Sequence, residues 1–296
     1  MSDWKSRLAE KRVLLADGAW GTELARRGLP AGVAPEAWNL ENGPAVQAIA
    51  ATYVEAGADI VLTNTFGGNP AKLEKAGLRE KTAEINRLGA ALSREAAAGK
   101  ALVFASVGPT GEMLEPLGTA TEPDMTAWFA EQIAALAEGG ADGIVVETMS
   151  DLKEILCALR AARDVCALPV ATTMIFSKGP RGYATMMGVR PQQAAAALTD
   201  AGADIVGANC GGGIEEIVEL GRLLRPATFA PLWLKPNAGL PELVGDKTVY
   251  KETPDEMAAR IPDLIETGAD IIGGCCGTGP DHIRRFAEQL NAFRGR

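Results

Sequence analysis

The chain has 296 residues, 47% of them apolar and 23% charged, enough for a sizeable core in one large domain or two small ones. Acidic residues outnumber basic ones 38 to 29, and a net charge of -9 with only 5% aromatics argues against nucleic-acid or anionic-membrane partners. The start, MSDWKSRLAEKR, lacks the apolar stretch of a secretory signal, and no run of about 18 uncharged apolar residues follows, so a cytoplasmic location is expected.

In chain order the apolar runs are VLLADGA (13–19), ADIVLTNT (58–65), LVFASVG (102–108), ADGIVVET (141–148), PVATTMIF (169–176), ADIVGANC (203–210), PLWLKPNA (231–238) and ADIIGGCC (269–276). Four of the eight belong to a recurring phrase, EAGADIVLTNT, EGGADGIVVET, DAGADIVGANC and ETGADIIGGCC, in which a helix-stopping glycine leads into a short Ile/Val-rich stretch. Between the runs lie amphipathic segments such as PAVQAIAATYVEAG, MTAWFAEQIAALAEGG, RPQQAAAALTDAG and PDEMAARIPDLIETG, whose apolar residues recur at helical spacing. Strand and helix therefore alternate eight times, which predicts a (β/α)8 barrel filling residues 1–296 as one domain. An open doubly wound sheet is the structural alternative.

In a barrel the active site gathers at the carboxyl ends of the strands. Those ends read ADGAWGTE, TNTFGGN, SVGPTGE, VETMSD, MIFSKGP, GANCGGG, KPNAGLP and GGCCGTG, so glycine, polar residues and cysteine meet at one mouth. Cys210 closes the sixth run, and Cys275 with Cys276 closes the eighth. Strand ends two steps apart lie roughly 10 Å from each other, at about 4.8 Å per step. Within a strand two adjacent side chains face opposite ways, but Gly273, Gly274 and Gly277 free the backbone to turn both thiols inward.

Three thiolates suit a soft or borderline cation, and Zn2+ binds them with a fourth position open to water or substrate. Burial as small hydrophobes is the plainer reading of Cys210, Cys275 and Cys276, and a vicinal disulfide at 275–276 is a third. Cys157, inside a helical pattern, and Cys166, just before a strand, are expected to be structural. The only histidine, His282, falls in the first turn of a helix begun by Pro280, where capping outweighs general-base work. Asp17 and Glu147 end the first and fourth strands, where acids can hold an ammonium group, and the N–H of Gly18 can meet a carboxylate. Together they suit an amino acid.

The strings LLADGAWGTE, ADIVLTNTFG, GPTGE, DGIVVETMSD, ANCGGG, KPNAGLP and GGCCGTGPDHI resemble the zinc-dependent homocysteine S-methyltransferase family, in order, across essentially the whole chain. The wording is most similar to the homocysteine-binding module of cobalamin-dependent methionine synthase, and TVYKETPDEMA (248–258) adds to it. The resemblance implies zinc held by Cys210, Cys275 and Cys276 with the homocysteine sulfur as fourth ligand. It implies Asp17 and Glu147 on the substrate's amino group, the backbone of Gly18 and Ala19 on its carboxylate, and Asn64 and Thr110 at the mouth.

No DxHxxG cobalt-ligand signature is present, so a methylcobalamin donor would arrive on a separate corrinoid protein. Betaine or S-methylmethionine as direct donor is the alternative. Gly67 and Gly68 follow Thr65 and Phe66 where betaine-using relatives carry a tyrosine, which weighs against betaine. Met187, in TMMGVRP, stands where relatives often have a hydroxyl, which keeps a different thiol acceptor open. A barrel whose zinc is purely structural is the remaining reading.

Overall fold

The computed structural model describes residues 4–245 and 247–295, apart from the side chains of Val244 and Lys247. Each of the eight apolar runs contains a strand: β1 Leu14–Leu15, β2 Ile60–Val61, β3 Leu102–Val107, β4 Gly143–Met149, β5 Val170–Met174, β6 Ile205–Asn209, β7 Leu232–Lys235 and β8 Ala269–Ile272. Neighbouring strands pair in parallel, β1 with β8 and then down through β7 to β2. A parallel bridge between Ala16 and Ile60 joins the two ends of that row. The sheet is thus a closed ring, and the open doubly wound alternative is excluded.

The amphipathic segments form the expected outer helices, among them Gly43–Glu55, Glu122–Glu138 and Pro191–Asp200. PDEMAARIPDLIETG departs from the expectation of one continuous helix: it splits into Pro254–Ala259 and Ile261–Glu266. Pro262 is the cause, since inside a continuous helix it would lack a donor and crowd the carbonyl one turn back; it sits instead in the first turn of the second piece. Two antiparallel hairpins also stand on the loops after β5 and β7, at 177–184 and 242–249.

Inside the ring, alternate residues of the short strands fill the axis: Leu14, Ile60, Phe104, Val145, Ala171, Ile205, Trp233 and Ile271 form one buried cluster, joined by Trp4 from the helix Trp4–Lys11. Phe104 and Trp233 meet edge to face across the axis, with ring centroids 5.4 Å apart. The opposite faces of the strands pack on the helices in a second, larger core. With one end of the barrel filled by these side chains, functional groups are left to the loops at the carboxyl ends. No described helix is long and apolar enough to cross a membrane.

Candidate metal and acceptor site

The three thiols converge. The sulfur atoms of Cys210, Cys275 and Cys276 all lie within 4.8 Å of one another. Their positions are fixed by the chain that continues β7, which is stapled to both cysteine loops. Cys210 N–H donates to the Lys235 carbonyl (3.1 Å), Cys275 N–H to that of Pro236 (2.7 Å), and Ala238 N–H to that of Cys276 (2.9 Å). Cys210 takes a left-handed conformation, φ 62°, that costs a non-glycine residue energy and turns its side chain out of the strand direction. Glycine is required beside the doublet, because a Cβ on Gly274 would lie 2.2 Å from Thr278 Oγ1. At Gly277, φ 82°, the space a Cβ would take is filled by the ring of Tyr250, whose hydroxyl hydrogen-bonds the Cys276 thiol.

All five cysteines are free, so no vicinal disulfide forms. Cys157 is buried within the helix Leu152–Val165, and the Cys166 thiol donates to the Ala162 carbonyl at 3.3 Å, both structural as expected. At the cluster, hydrogen bonding to Cys210 and burial push Cys275 up to about 12. Cys276 is drawn down by its bond with Cys210, but the bond with Cys275 and burial outweigh that and lift it to about 11. Three half-buried thiols this close cannot all ionise together without a cation. Sulfurs sharing a tetrahedral ion at bonds of about 2.3 Å sit about 3.8 Å apart, so an all-sulfur donor set of this spread fits zinc after small side-chain adjustments.

The thiols line a cavity of about 520 Å3, with Glu147, Lys235, Gly18, Ala19, Asn64, Phe66 and Lys72 also in its wall. Glu147 accepts from Ser106 Oγ at 2.5 Å, and burial raises its pKa against the pull of Lys235 and Ser106. Asp17 is placed differently from the expectation for a ligand-facing acid. It is fully buried behind the wall, and Oδ2 accepts from Trp20 Nε1 (2.8 Å) and Leu62 N–H (2.7 Å) while Oδ1 accepts from Lys235 Nζ (3.2 Å). Burial works against the charge on Lys235, yet Asp17 and Glu147 overcome it and raise its pKa.

The other expected residues divide. Asn64 reaches the cavity wall while its amide bonds the Pro35 carbonyl and Asn39. Thr110 does not: its N–H and hydroxyl both donate to Glu154 Oε1 at 2.7 Å, away from the cavity. Met187 is half-buried beyond the hairpin after β5 and takes no part in the wall. His282 caps a helix, as expected, accepting from Gly279 N–H at 3.2 Å and meeting the Glu252 carbonyl with Nε2 at 3.1 Å.

Three contributors were not foreseen. Lys235 was hidden at the end of an apolar run, although a charge inside PLWLKPNA was a usable signal. Asn209 donates to Cys275 Sγ (3.7 Å) and to Thr148 Oγ1 (2.7 Å) while accepting from Thr148 N–H (2.8 Å) and Thr173 Oγ1 (2.6 Å). Tyr250 stood within a quoted motif but had no assigned contact.

Residues 14–290 match the family described as Homocysteine S-methyltransferase. The chain belongs to this family. The resemblance drawn from the strand-end motifs is borne out. It is similar to the methionine synthases of Mycobacterium leprae (strain TN) and Mycobacterium tuberculosis (strain ATCC 25618 / H37Rv), each 33% identical over 298 aligned residues. Those alignments take in 94% of this chain but only 24% of each synthase, so the chain spans about a quarter of their length. Among solved structures, the metallated form of the homocysteine methyltransferase MmuM from Escherichia coli superposes with a TM-score of 0.81 at 23% identity, over 96% of this chain and 99% of that one. Its oxidized form gives 0.83 at 22%, over 98% and 100%. At that identity the likeness is one of fold, and the fold is the same barrel.

Proposed function

We propose that the protein transfers a methyl group to the sulfur of homocysteine to give methionine, with Cys210, Cys275 and Cys276 holding zinc and a methyl-corrinoid on a separate protein as donor. The observation that carries this reading is the convergence of three free thiols in the wall of one cavity with Glu147. What zinc supplies at such a site is Lewis acidity that strips the proton from a substrate thiol, whose ordinary pKa is about 8.5.

The chain's own residues bind and orient. Glu147 spends one oxygen on Ser106 and accepts with the other from the substrate ammonium, while Asp17 adds negative charge from behind. The main chain at Gly18 and Ala19 flanks the carboxylate end. In the transfer, the S–C bond forms from a sulfur lone pair as the Co–C bond breaks with its pair left on cobalt, and the thiol proton passes to solvent.

A corrinoid donor is favoured over betaine or S-methylmethionine by the aromatic wall. Lys72 Nζ lies 4.9 Å from the centroid of the Phe66 ring, so that face already carries a cation and is not open to an onium methyl group. Zinc-loaded protein incubated with homocysteine and methylcobalamin is expected to yield methionine by mass spectrometry, with betaine and S-methylmethionine giving none. Product from an onium donor but not from methylcobalamin overturns the donor; no product from any of them overturns the acceptor.

A further inference from the structure

Part of the cavity wall is used by neither the thiols nor the acceptor: Pro35, Glu36, Phe66, Gly67 and Lys72. Phe66 is fixed there. Its ring packs on Gly108, where a Cβ would lie 2.6 Å from Cε2, and its carbonyl accepts from Gly108 N–H at 2.8 Å. Glu36 is buried, and its Oε1 accepts from Gly67 N–H at 2.5 Å. Glycine permits that approach, because a Cβ at 67 would lie 2.9 Å from the same oxygen. An aromatic face with a buried carboxylate bonded to the next residue is the chemistry that recognises a sulfonium or quaternary ammonium group, since ring and acid both attract a cation.

The protein fills that place with a cation of its own. Lys72, in the helix Pro70–Lys75, has Nζ 4.9 Å from the centroid of the Phe66 ring. A lysine ordinarily carries its head group out to water. Here burial works against the charge and lowers the pKa, while Glu36 and Glu154 pull the other way. The ammonium is held in a costly position, and its effect there is to deny the ring to any other cation.

We propose that Lys72 sets the class of methyl donor, by occupying with its own ammonium the position against Phe66 and Glu36 that an onium donor would take. The inference rests on the methyl-transfer reading and deepens it: the wild type is closed to sulfonium and quaternary ammonium donors, and a neutral side chain at 72 admits them. In the transfer then allowed, a lone pair of the homocysteine sulfur forms the new S–C bond as the sulfonium S–C bond breaks. That pair stays on the donor sulfur, and the thiol proton passes to solvent.

Calorimetric titration of zinc-free protein with choline and its uncharged isostere 3,3-dimethylbutan-1-ol tests the occupancy without metal, homocysteine or turnover. Lys72→Met is expected to bind choline at least tenfold more tightly than the wild type and the isostere within twofold of it. Lys72→Arg, which keeps a cation on the ring, is expected to match the wild type. Lys72→Gln is measured beside Lys72→Met, with the same pattern expected, so that a folding failure of one leaves the other. The double variant Phe66→Leu, Lys72→Met is expected to lose the gain. Equal choline affinity in the wild type and the neutral variants, an equal gain for the isostere, or a gain that survives loss of the ring overturns the assignment. Zinc-loaded Lys72→Met is then given isotopically labelled homocysteine and S-methylmethionine, and is expected to form labelled methionine where the wild type forms none. Choline binding without that product, in a preparation that does form methionine from methylcobalamin, overturns the role in donor choice. Failure of the wild type with methylcobalamin would instead overturn the donor reading and leave the titration result standing.

Discussion

Asn209 is the residue through which β4, β5 and the thiol cluster share one polar connection, and Asn209→Ala breaks all of it at once. The substitution removes the acceptor for the N–H of Thr148, a residue held at φ 61°, and for the buried Thr173 hydroxyl, and it removes the donor to Cys275. At about 1–3 kcal/mol for each orphaned buried group, with Thr148 partly solvated, the loss of folding free energy is about 2–4 kcal/mol. In a chain of this size that corresponds to a fall in Tm of roughly 3–6 °C. Partners that orient metal ligands typically contribute about 10–100-fold to metal affinity.

The assay is urea unfolding of metal-free protein, read beside chelator competition for zinc. Asn209→Asp separates the two effects, because it keeps acceptors for Thr148 and Thr173 but deletes the N–H donors and sets a negative charge beside the thiols. It is expected to recover much of the stability while still losing zinc affinity. A destabilisation under about 1 kcal/mol for Asn209→Ala, with unchanged zinc affinity, refutes the assigned role.

Other expectations follow from the same structure. Gly274→Ala, whose Cβ would sit 2.2 Å from Thr278 Oγ1, is expected to displace the doublet and lower zinc content at least tenfold by elemental analysis, with the far-ultraviolet dichroism of the barrel retained. Burial lowers the pKa of His282, so the unfolded chain takes up its proton first as pH falls. Its stabilisation is therefore present above the ordinary value of 6.5 and lost as pH drops below it. His282→Ala should cost about 1 kcal/mol at pH 7.5, as a lost helix cap does, and less at pH 5.5; an equal cost at both, by urea unfolding, would contradict this. Burial raises the pKa of Glu154, outweighing the bonds from Thr110, so its contribution is full below the ordinary 4.5 and lost as pH rises through the folded value. Glu154→Gln keeps an acceptor for Thr110 without the charge, and its melting temperature should exceed that of the wild type at pH 7.5 but not at pH 4.5.

What was legible in the sequence was whatever repeats or whatever periodicity controls. The glycine-led phrase ADIV and its variants marks β2, β4, β6 and β8 because a helix stop and a buried strand are local events. Cys210, Cys275 and Cys276 were legible for the same reason: the glycines around them mark the points where the strands end. Side-chain direction behind the wall was not. Asp17 has the spacing of a mouth residue, but a free main-chain N–H of Leu62 and the indole of Trp20 pull it inward, which is a tertiary fact. Thr110 was illegible in the same way, because its partner Glu154 lies 44 residues on, in the first turn of the helix that follows β4, and is invisible to motif spacing. The hairpins at 177–184 and 242–249 were missed because they are short, and few of their side chains enter a core.

The placement of the thiols also bears on whether the proposed zinc would serve folding or chemistry. Cys210 and the Cys275–Cys276 doublet are held by main-chain bonds to the segment 235–238, and that segment is anchored by β7, whose Leu232, Trp233 and Leu234 are fully buried. The barrel axis is closed by Phe104 against Trp233, and the ring by the Ala16–Ile60 bridge, without any contribution from sulfur. Small domains that depend on zinc do so because they lack such a core, and this chain has two. Zinc held by these three thiols would supply Lewis acidity to the cavity they line, in whose wall Glu147 and Lys235 also stand. That is the arrangement a reagent needs and a structural clip does not.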